Sequence, residues 1–234
     1  RIEYHTPQGK EYFVFLNSHD ITRFKVPRER GFGSNKVIAS LAILSPFRPL
    51  IYYGEEIGLP QIPGWEHEYS RGLMHWNDSP MLGFNEHNTL AWMDEESWFP
   101  WKVDNGMPFN PWSTSTGTHY PGNSVEQQKT SGNSLLNYYQ TLLNIRQSDP
   151  VFTNLKTLTL QPAPSDVWFI EYASDNSTRH VITNLTLDNY VNIEVPPHLE
   201  GEYIDLVSLQ RIDFKSVMAL QPGQTLVLKG VNSI

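Results

Sequence analysis

The spacing of apolar and polar positions changes several times along this 234-residue chain. Near the start, Tyr12-Phe13-Val14-Phe15-Leu16 is an unbroken apolar run that ends in the polar turn Asn17-Ser18-His19-Asp20. A short run without alternation reads as a strand buried on both faces, as in a parallel sheet. Ser34 can cap a following helix with Val37, Ile38, Leu41 and Leu44 on its apolar positions. Pro46 and Pro49 stop it. Leu50-Ile51-Tyr52-Tyr53 reads as a second buried strand, broken by Gly54 and followed by Glu55-Glu56. Strand, helix and strand, each strand ending in polar residues, predict a parallel α/β unit.

Residues 57–130 show no convincing period, and a connection of that length reads as a functional loop. Ser131 can then cap a helix carrying Leu135, Leu136, Tyr139, Leu142 and Leu143 on one face, closed by Asp149-Pro150. From Val151 the pattern becomes β. Thr157–Leu160, Val167–Tyr172, His180–Asn184, Tyr190–Val195, Glu202–Val207 and Thr225–Leu228 are short runs separated by turn residues. That is the spacing of a small antiparallel sandwich. The expected division is an α/β part over 1–150 and an all-β domain over 151–234.

Composition narrows the function classes. With 18% charged and 12% aromatic residues the chain is not disordered. Its longest apolar run, Val37 to Leu44, is interrupted by Ser40, so no membrane span is expected. A formal net charge of −8 without a basic stripe argues against nucleic acid as a partner. There is no cysteine, which removes thiolate chemistry and leaves the compartment open. The chain opens on Arg1-Ile2-Glu3-Tyr4, which reads as a processed start or a fragment. Trp65, Trp76, Trp92, Trp98, Trp101 and Trp112 crowd into one stretch, with Trp168 alone elsewhere.

Four segments, in this order, resemble one family. Phe15-Leu16-Asn17-Ser18-His19-Asp20 looks like the fourth signature of the α-amylase family, glycoside hydrolase family 13. Pro49 to Gly58 resembles that family's eighth barrel strand and the turn after it. Met74-His75-Trp76-Asn77-Asp78-Ser79-Pro80, with Gly83-Phe84, is similar to a loop of its maltase, oligoglucosidase and amylase branches. Ser134 to Tyr139, then Leu143, Arg146, Asp149 and Pro150, resembles the last barrel helix. The resemblance implies a (β/α)8 barrel followed by a β-sandwich. A barrel takes about 250 residues, so strands seven and eight with their helices are expected here and the first six strands are not.

The resemblance also implies chemistry. A retaining glycosidase uses two carboxylates about 5–5.5 Å apart, which the family keeps on strands four and five, outside this chain. Asp20 matches a third carboxylate that stabilises the oxocarbenium-like transition state, and His19 matches a histidine that hydrogen-bonds the sugar. Ser18 stands where the family commonly has Asn. Arg23 matches an Arg frequent in this branch, which could pair with a carboxylate near the site; a surface Arg is the equal alternative. Glu55 and Glu56 are expected to be structural. Trp76, Asn77 and Asp78 are the loop residues expected to meet substrate, because sugar C–H faces pack on aromatic rings.

No zinc spacing is present among His5, His67, His75, His87, His119, Glu66 and Glu68. No cofactor is required by this chain; a structural calcium elsewhere in the barrel is left open, with Asp94 and Asp104 as loop oxygens that could contribute. Three N-glycosylation patterns, at Asn77, Asn176 and Asn184, decide nothing. The expected function is part of a retaining α-glucan hydrolase acting on α-1,4-glucosidic bonds of starch or maltodextrins. Its expected partners are an α-glucan and the upstream half of the barrel, and an extracellular or periplasmic location is favoured over a cytoplasmic one. The alternatives are a non-catalytic relative, such as a transporter-subunit ectodomain, and a glucan-binding module.

Overall fold

A computed structural model describes residues 12–23, 33–59, 61, 70–79, 82–83, 102–103, 107–108 and 124–231. Trp65, Trp92, Trp98, Trp101, Trp112, Asp94 and Asp104 lie outside the described residues, as do His5, His67, His87, His119, Glu66 and Glu68.

Strand β1 (Phe13–Val14) and strand β2 (Arg48–Pro49) pair in parallel, with helix α1 (Gly33–Ile43) between them in sequence. The chain therefore contains the predicted strand–helix–strand unit, but the strands are shorter than the apolar runs. The second strand also lies earlier: it pairs at Arg48–Pro49, while Leu50–Tyr53 continues beyond it as loop. Among the described residues each strand is hydrogen-bonded on one side, and a strand persists only where a neighbour takes its N–H and C=O groups. The expected burial on both faces is absent for the same reason, Phe13 being 57% exposed and Leu50 50%.

Helix α1 buries Ser34, Val37, Ala39, Ser40, Ala42 and Ile43, with buried Leu44 just after it, whereas Ile38 and Leu41 are half-buried. Its buried face is thus built largely from small residues, which permit close approach. Ser40 accepts a 2.9 Å hydrogen bond from Thr225, and the Leu44 carbonyl accepts one of 2.5 Å from the Tyr172 hydroxyl. The turn after α1 carries carbonyls that no helix satisfies. Arg146 fills that need, donating to Ile43, Ser45 and Phe47 at 2.7, 2.6 and 2.6 Å.

Helix α2 (Val125–Thr130) was not predicted. Ser124 and Gln127 close it reciprocally, each side chain accepting from the other's backbone N–H. Ser131, expected to start a helix, ends this one instead. Helix α3 (Leu135–Ser148) is capped by Ser134, whose hydroxyl accepts from the Asn137 N–H. Asp149 then starts helix α4 (Pro150–Thr153), accepting from the Val151 N–H at 2.9 Å.

Strands β3 (Lys102–Val103) and β4 (Met107–Pro108) pair antiparallel. The β region after α4 is antiparallel throughout. Strands β5 (Thr157–Leu160), β6 (Val167–Ala173), β7 (Thr178–Asn184), β9 (Gly201–Asp205), β10 (Arg211–Phe214) and β12 (Thr225–Gly230) form one sheet in the order β10-β9-β12-β7-β6-β5. Strands β8 (Val191–Glu194) and β11 (Val217–Leu220) form a second. Phe169, Ile182, Phe214, Leu226 and Leu228 from the first sheet share one core with Ile193 and Leu220 from the second, which is the sandwich arrangement. Strands β10 and β11 were missed; β10 carries the charges Arg211 and Asp213 on alternate positions, which interrupts its apolar run.

The described residues thus contain a parallel strand–helix–strand unit, as the resemblance implies for the end of a (β/α)8 barrel, followed in sequence by an antiparallel β domain. The described residues group into two compact units. One comprises those of Arg1–Val14, Lys36–Pro49 and Gln140–Ile234, the other those of Phe15–Asn35 and Leu50–Tyr139. This grouping crosses the sequence division at 150, since Ser40 and Leu44 bond directly to Thr225 and Tyr172. No helix among the described residues is long and apolar enough to cross a membrane.

Arg179 in β7 donates to Asp149 at 2.7 Å, both side chains being buried. Removing one member of such a pair strands a charge away from water. Arg179→Met should cost about 3–5 kcal/mol of stability in urea titration, and Asp149→Asn combined with it should recover part of that loss.

Candidate active site

The site grows out of the polar turn after β1. Asn17, the first polar residue there, is buried and donates from Nδ2 to Glu55 Oε1 at 2.7 Å. Glu55 heads a 3-10 turn (Glu55–Ile57) bracketed by Gly54 and Gly58, whose φ values are 83° and 69°. A Cβ on Gly54 would lie 2.7 Å from the Leu59 side chain, so the position needs glycine for its conformation and for its space. Burial pushes the Glu55 carboxyl up to about 6, against the opposing pull of the Asn17 hydrogen bond and the Arg23 charge. Glu56 is raised by burial in the same direction.

Beyond Asn17 the chain makes a tight turn in which Ser18 pairs with Ile21 and its hydroxyl accepts from the Asp20 N–H at 3.1 Å. Ser18 thus shapes the turn. The turn presents His19 and Asp20 outward, with side chains 64% and 58% exposed. His19 Nε2 lies 3.0 Å from Asp20 Oδ2. Arg71 approaches from another segment: Nη2 is 3.5 Å from Asp20 Oδ1, and Nε donates to the His19 carbonyl at 3.3 Å.

Arg23 is 2% exposed, which removes the surface alternative. Its Nε donates to the Ser70 carbonyl and its Nη1 to the Tyr53 carbonyl, both at 2.8 Å. Its guanidinium stacks on the rings of Tyr52 and Tyr53, 4.5 and 4.7 Å from their centroids. Its hydrogen bonds go to carbonyls; its influence on Glu55 and Glu56 is through charge, holding both lower than burial alone would.

Trp76, Asn77 and Asp78 form a second turn, tied to α2. Trp76 is 47% exposed. Asn77 Oδ1 accepts from the Ser79 N–H at 3.0 Å, and Asp78 accepts from Gln127 Nε2. Buried His75 lies 3.5 Å from Asp78. Met74 packs with Ile57, Leu59, Val125 and Leu136. Beneath them, buried Gln128 donates to the Ile57 carbonyl and accepts from the Leu136 N–H. The structure thus brings together His19 and Asp20 with Arg23 behind them. Asn77 and Asp78 carry the hydrogen bonds of their own turn, and the Trp76 ring is open to solvent. No group of three His, Asp or Glu that could hold a metal occurs among the described residues.

Asn17, Ser70 and Arg71 are the site residues that sequence reasoning missed. Asn17 carried a signal, as the first polar residue past an apolar run. Ser70 and Arg71 carried none, since their role depends on a fold-back across roughly 50 positions.

The model of the alpha-amylase catalytic domain matches residues 3–154. The chain belongs to the α-amylase family. It is 28% identical over 137 residues to a 4-alpha-glucanotransferase of Thermotoga maritima, covering 56% of this chain and 25% of that protein. Against a trehalose synthase/amylase of Mycobacterium tuberculosis it is 27% identical over 119 residues, covering 50% of this chain and 17% of that one. Among solved structures, the isomaltulose synthase of Klebsiella sp. LX3 superposes with a TM-score of 0.66 at 20% identity, covering 94% of this chain and 43% of that one. The trehalulose synthase of Pseudomonas mesoacidophila MX-45 gives 0.66 at 18%, covering 93% and 42%. The chain spans at most a quarter of these curated relatives and about two fifths of the solved ones.

Glu55 generates a pH dependence with a defined sign. Its carboxyl is raised to about 6 in the folded protein, so between its ordinary value and 6 the folded state holds more protons than the unfolded. Stability therefore falls as pH rises through that window, by on the order of 2 kcal/mol. Buried His180, pushed down to about 4 by burial, contributes the opposite slope, so the difference between wild type and variant isolates Glu55. Glu55→Gln keeps an acceptor for Asn17 and should remove that fall, leaving the variant at least as stable as wild type at pH 7.5 in urea titration.

Proposed function

We propose that this chain is the C-terminal part of a retaining enzyme acting on α-glucosidic bonds of starch or maltodextrin-type glucans. Asp20 is its transition-state-stabilising carboxylate and His19 a sugar-binding donor. One observation carries this reading: an exposed His–Asp pair in the turn that follows a parallel strand in sequence, in a chain of the α-amylase family, whose barrel enzymes keep their catalytic groups past the C-terminal ends of strands. As the glycosidic bond breaks, positive charge develops at the anomeric carbon, and a fixed carboxylate stabilises that charge more than it stabilises the ground state. Asp20 meets the requirement for such a group. Its N–H is bound by Ser18, its carboxylate is contacted from both sides, and it remains open to a ligand. His19 can donate to a sugar hydroxyl alongside it.

In this reading the nucleophile and the acid/base come from upstream barrel strands, which are the partner of this chain. Residues 1–150 belong to the catalytic barrel and 151–234 to the β domain. Trp76 offers an exposed ring for a sugar face. Asn77 and Asp78 support it by fixing the turn it sits on, and Arg23 supports the loops behind Asp20. Secretion or a periplasmic location suits a polymeric glucan substrate. Hydrolysis is proposed as the reaction; the relatives' names include a transferase and synthases as well as an amylase, and transfer would use the same Asp20.

The test is reconstitution. The isolated chain should not release reducing sugar from starch or maltodextrin. Assembled with the upstream barrel segments it should do so, and Asp20→Asn should then lower kcat by about 10²–10³-fold or more. Starch hydrolysis by the isolated chain, or full activity of the reconstituted Asp20→Asn variant, would overturn the assignment.

A further inference from the structure

We propose that Ser70 and Arg71 are positioning residues for the His19–Asp20 pair, and that Arg71 sets the orientation of the Asp20 carboxylate. The inference rests on the reading of Asp20 given above and adds the group that aims it. The His19 carbonyl accepts two side-chain donors from one short segment, Ser70 Oγ at 2.9 Å and Arg71 Nε at 3.3 Å. The same guanidinium places Nη2 3.5 Å from Asp20 Oδ1, while His19 Nε2 stands 3.0 Å from Oδ2. Each carboxylate oxygen therefore faces a different nitrogen, and the backbone between the two side chains is pinned.

The anchor runs inward. Ser70 is 1% exposed, and its carbonyl accepts from Arg23 Nε at 2.8 Å and from the Tyr52 hydroxyl at 3.4 Å. A series of hydrogen bonds thus leads from the buried Arg23 guanidinium, through Ser70, to the exposed catalytic dipeptide. Arg71 differs from Ser70 in that its side chain is 39% exposed. An exposed ion pair contributes little to folding, so its effect falls on orientation. Only arginine can do both jobs, because its planar fork addresses a carbonyl and a carboxylate together, whereas an ammonium is a single point of charge. A carboxylate free to turn about its side-chain bonds loses the fixed geometry on which transition-state stabilisation depends.

The test uses the enzyme reconstituted with its upstream barrel segments. Arg71→Gln should lower kcat by about 10–100-fold with KM within about twofold and the melting midpoint unchanged. Arg71→Lys should recover part of the loss, and Ser70→Ala should act in the same direction as Arg71→Gln. Wild-type kcat in Arg71→Gln, or a loss that tracks a falling melting midpoint, would overturn the proposal. A second readout is independent of activity: the ring-nitrogen NMR signals of His19 should move in Arg71→Gln as the Asp20 carboxylate turns, while those of His180 stay in place. Unmoved His19 signals would overturn the clamp even in an active enzyme, whereas moved signals in an inactive wild-type assembly would support it and count against the functional reading alone.

Discussion

The loops that carry the candidate site depend on one buried cation. Withdrawing a guanidinium from water is costly unless its donors and its charge are met. Arg23 meets most of this with two backbone carbonyls, from Tyr53 and Ser70, and with the faces of Tyr52 and Tyr53, while its buried Nη2 has no hydrogen-bond partner among the described residues. Those carbonyls belong to segments far apart in sequence, one following β2 and the other preceding the Trp76 turn. A single side chain therefore fixes two loops against the turn from which it springs. A neutral residue of similar size would leave the carbonyls without partners. Lysine would lack the plane needed to stack and donate at once.

The same logic recurs around Glu55. An ionisable group just past β2 is buried with Asn17 as its donor, and burial outweighs the favourable influence of that bond and of Arg23. The protein tolerates a carboxyl lifted towards neutrality in exchange for a bond between the turn after β1 and the turn after β2. Sites of this kind sacrifice local stability to hold geometry. In the β region the arrangement differs. There the shared apolar core of the two sheets supplies the driving force, and the buried Arg179–Asp149 pair joins β7 to the start of α4.

Much of the fold was legible because period and punctuation survive in any context. The strand–helix–strand order, α3 and six of the β strands followed from apolar spacing and turn residues. Errors occurred where a neighbour decides the outcome. The run Leu50–Tyr53 is apolar enough for a strand, yet pairing takes place at Arg48–Pro49, because hydrogen bonding to β1 selects the register. Ser131 and Ser134 are both credible caps, and only the path of α2 assigns them to opposite ends of two helices. The candidate site divides in the same way. His19 and Asp20 were found from a local motif. Arg23 was named, but its burial was not foreseeable, because nothing near it in the chain supplies the carbonyls and rings that surround it.

The amino-acid sequence by itself determined the family, the order of elements and the identity of the exposed His–Asp pair. These rest on contiguous residues whose propensities and spacing act locally. Only the tertiary structure decided what holds that pair. Ser70 and Arg71 reach His19 and Asp20 across about 50 residues, and Asn17 reaches Glu55 across a similar span. Such contacts leave no periodic trace, because the energy that selects them appears only once the chain has folded back and removed the interior groups from water.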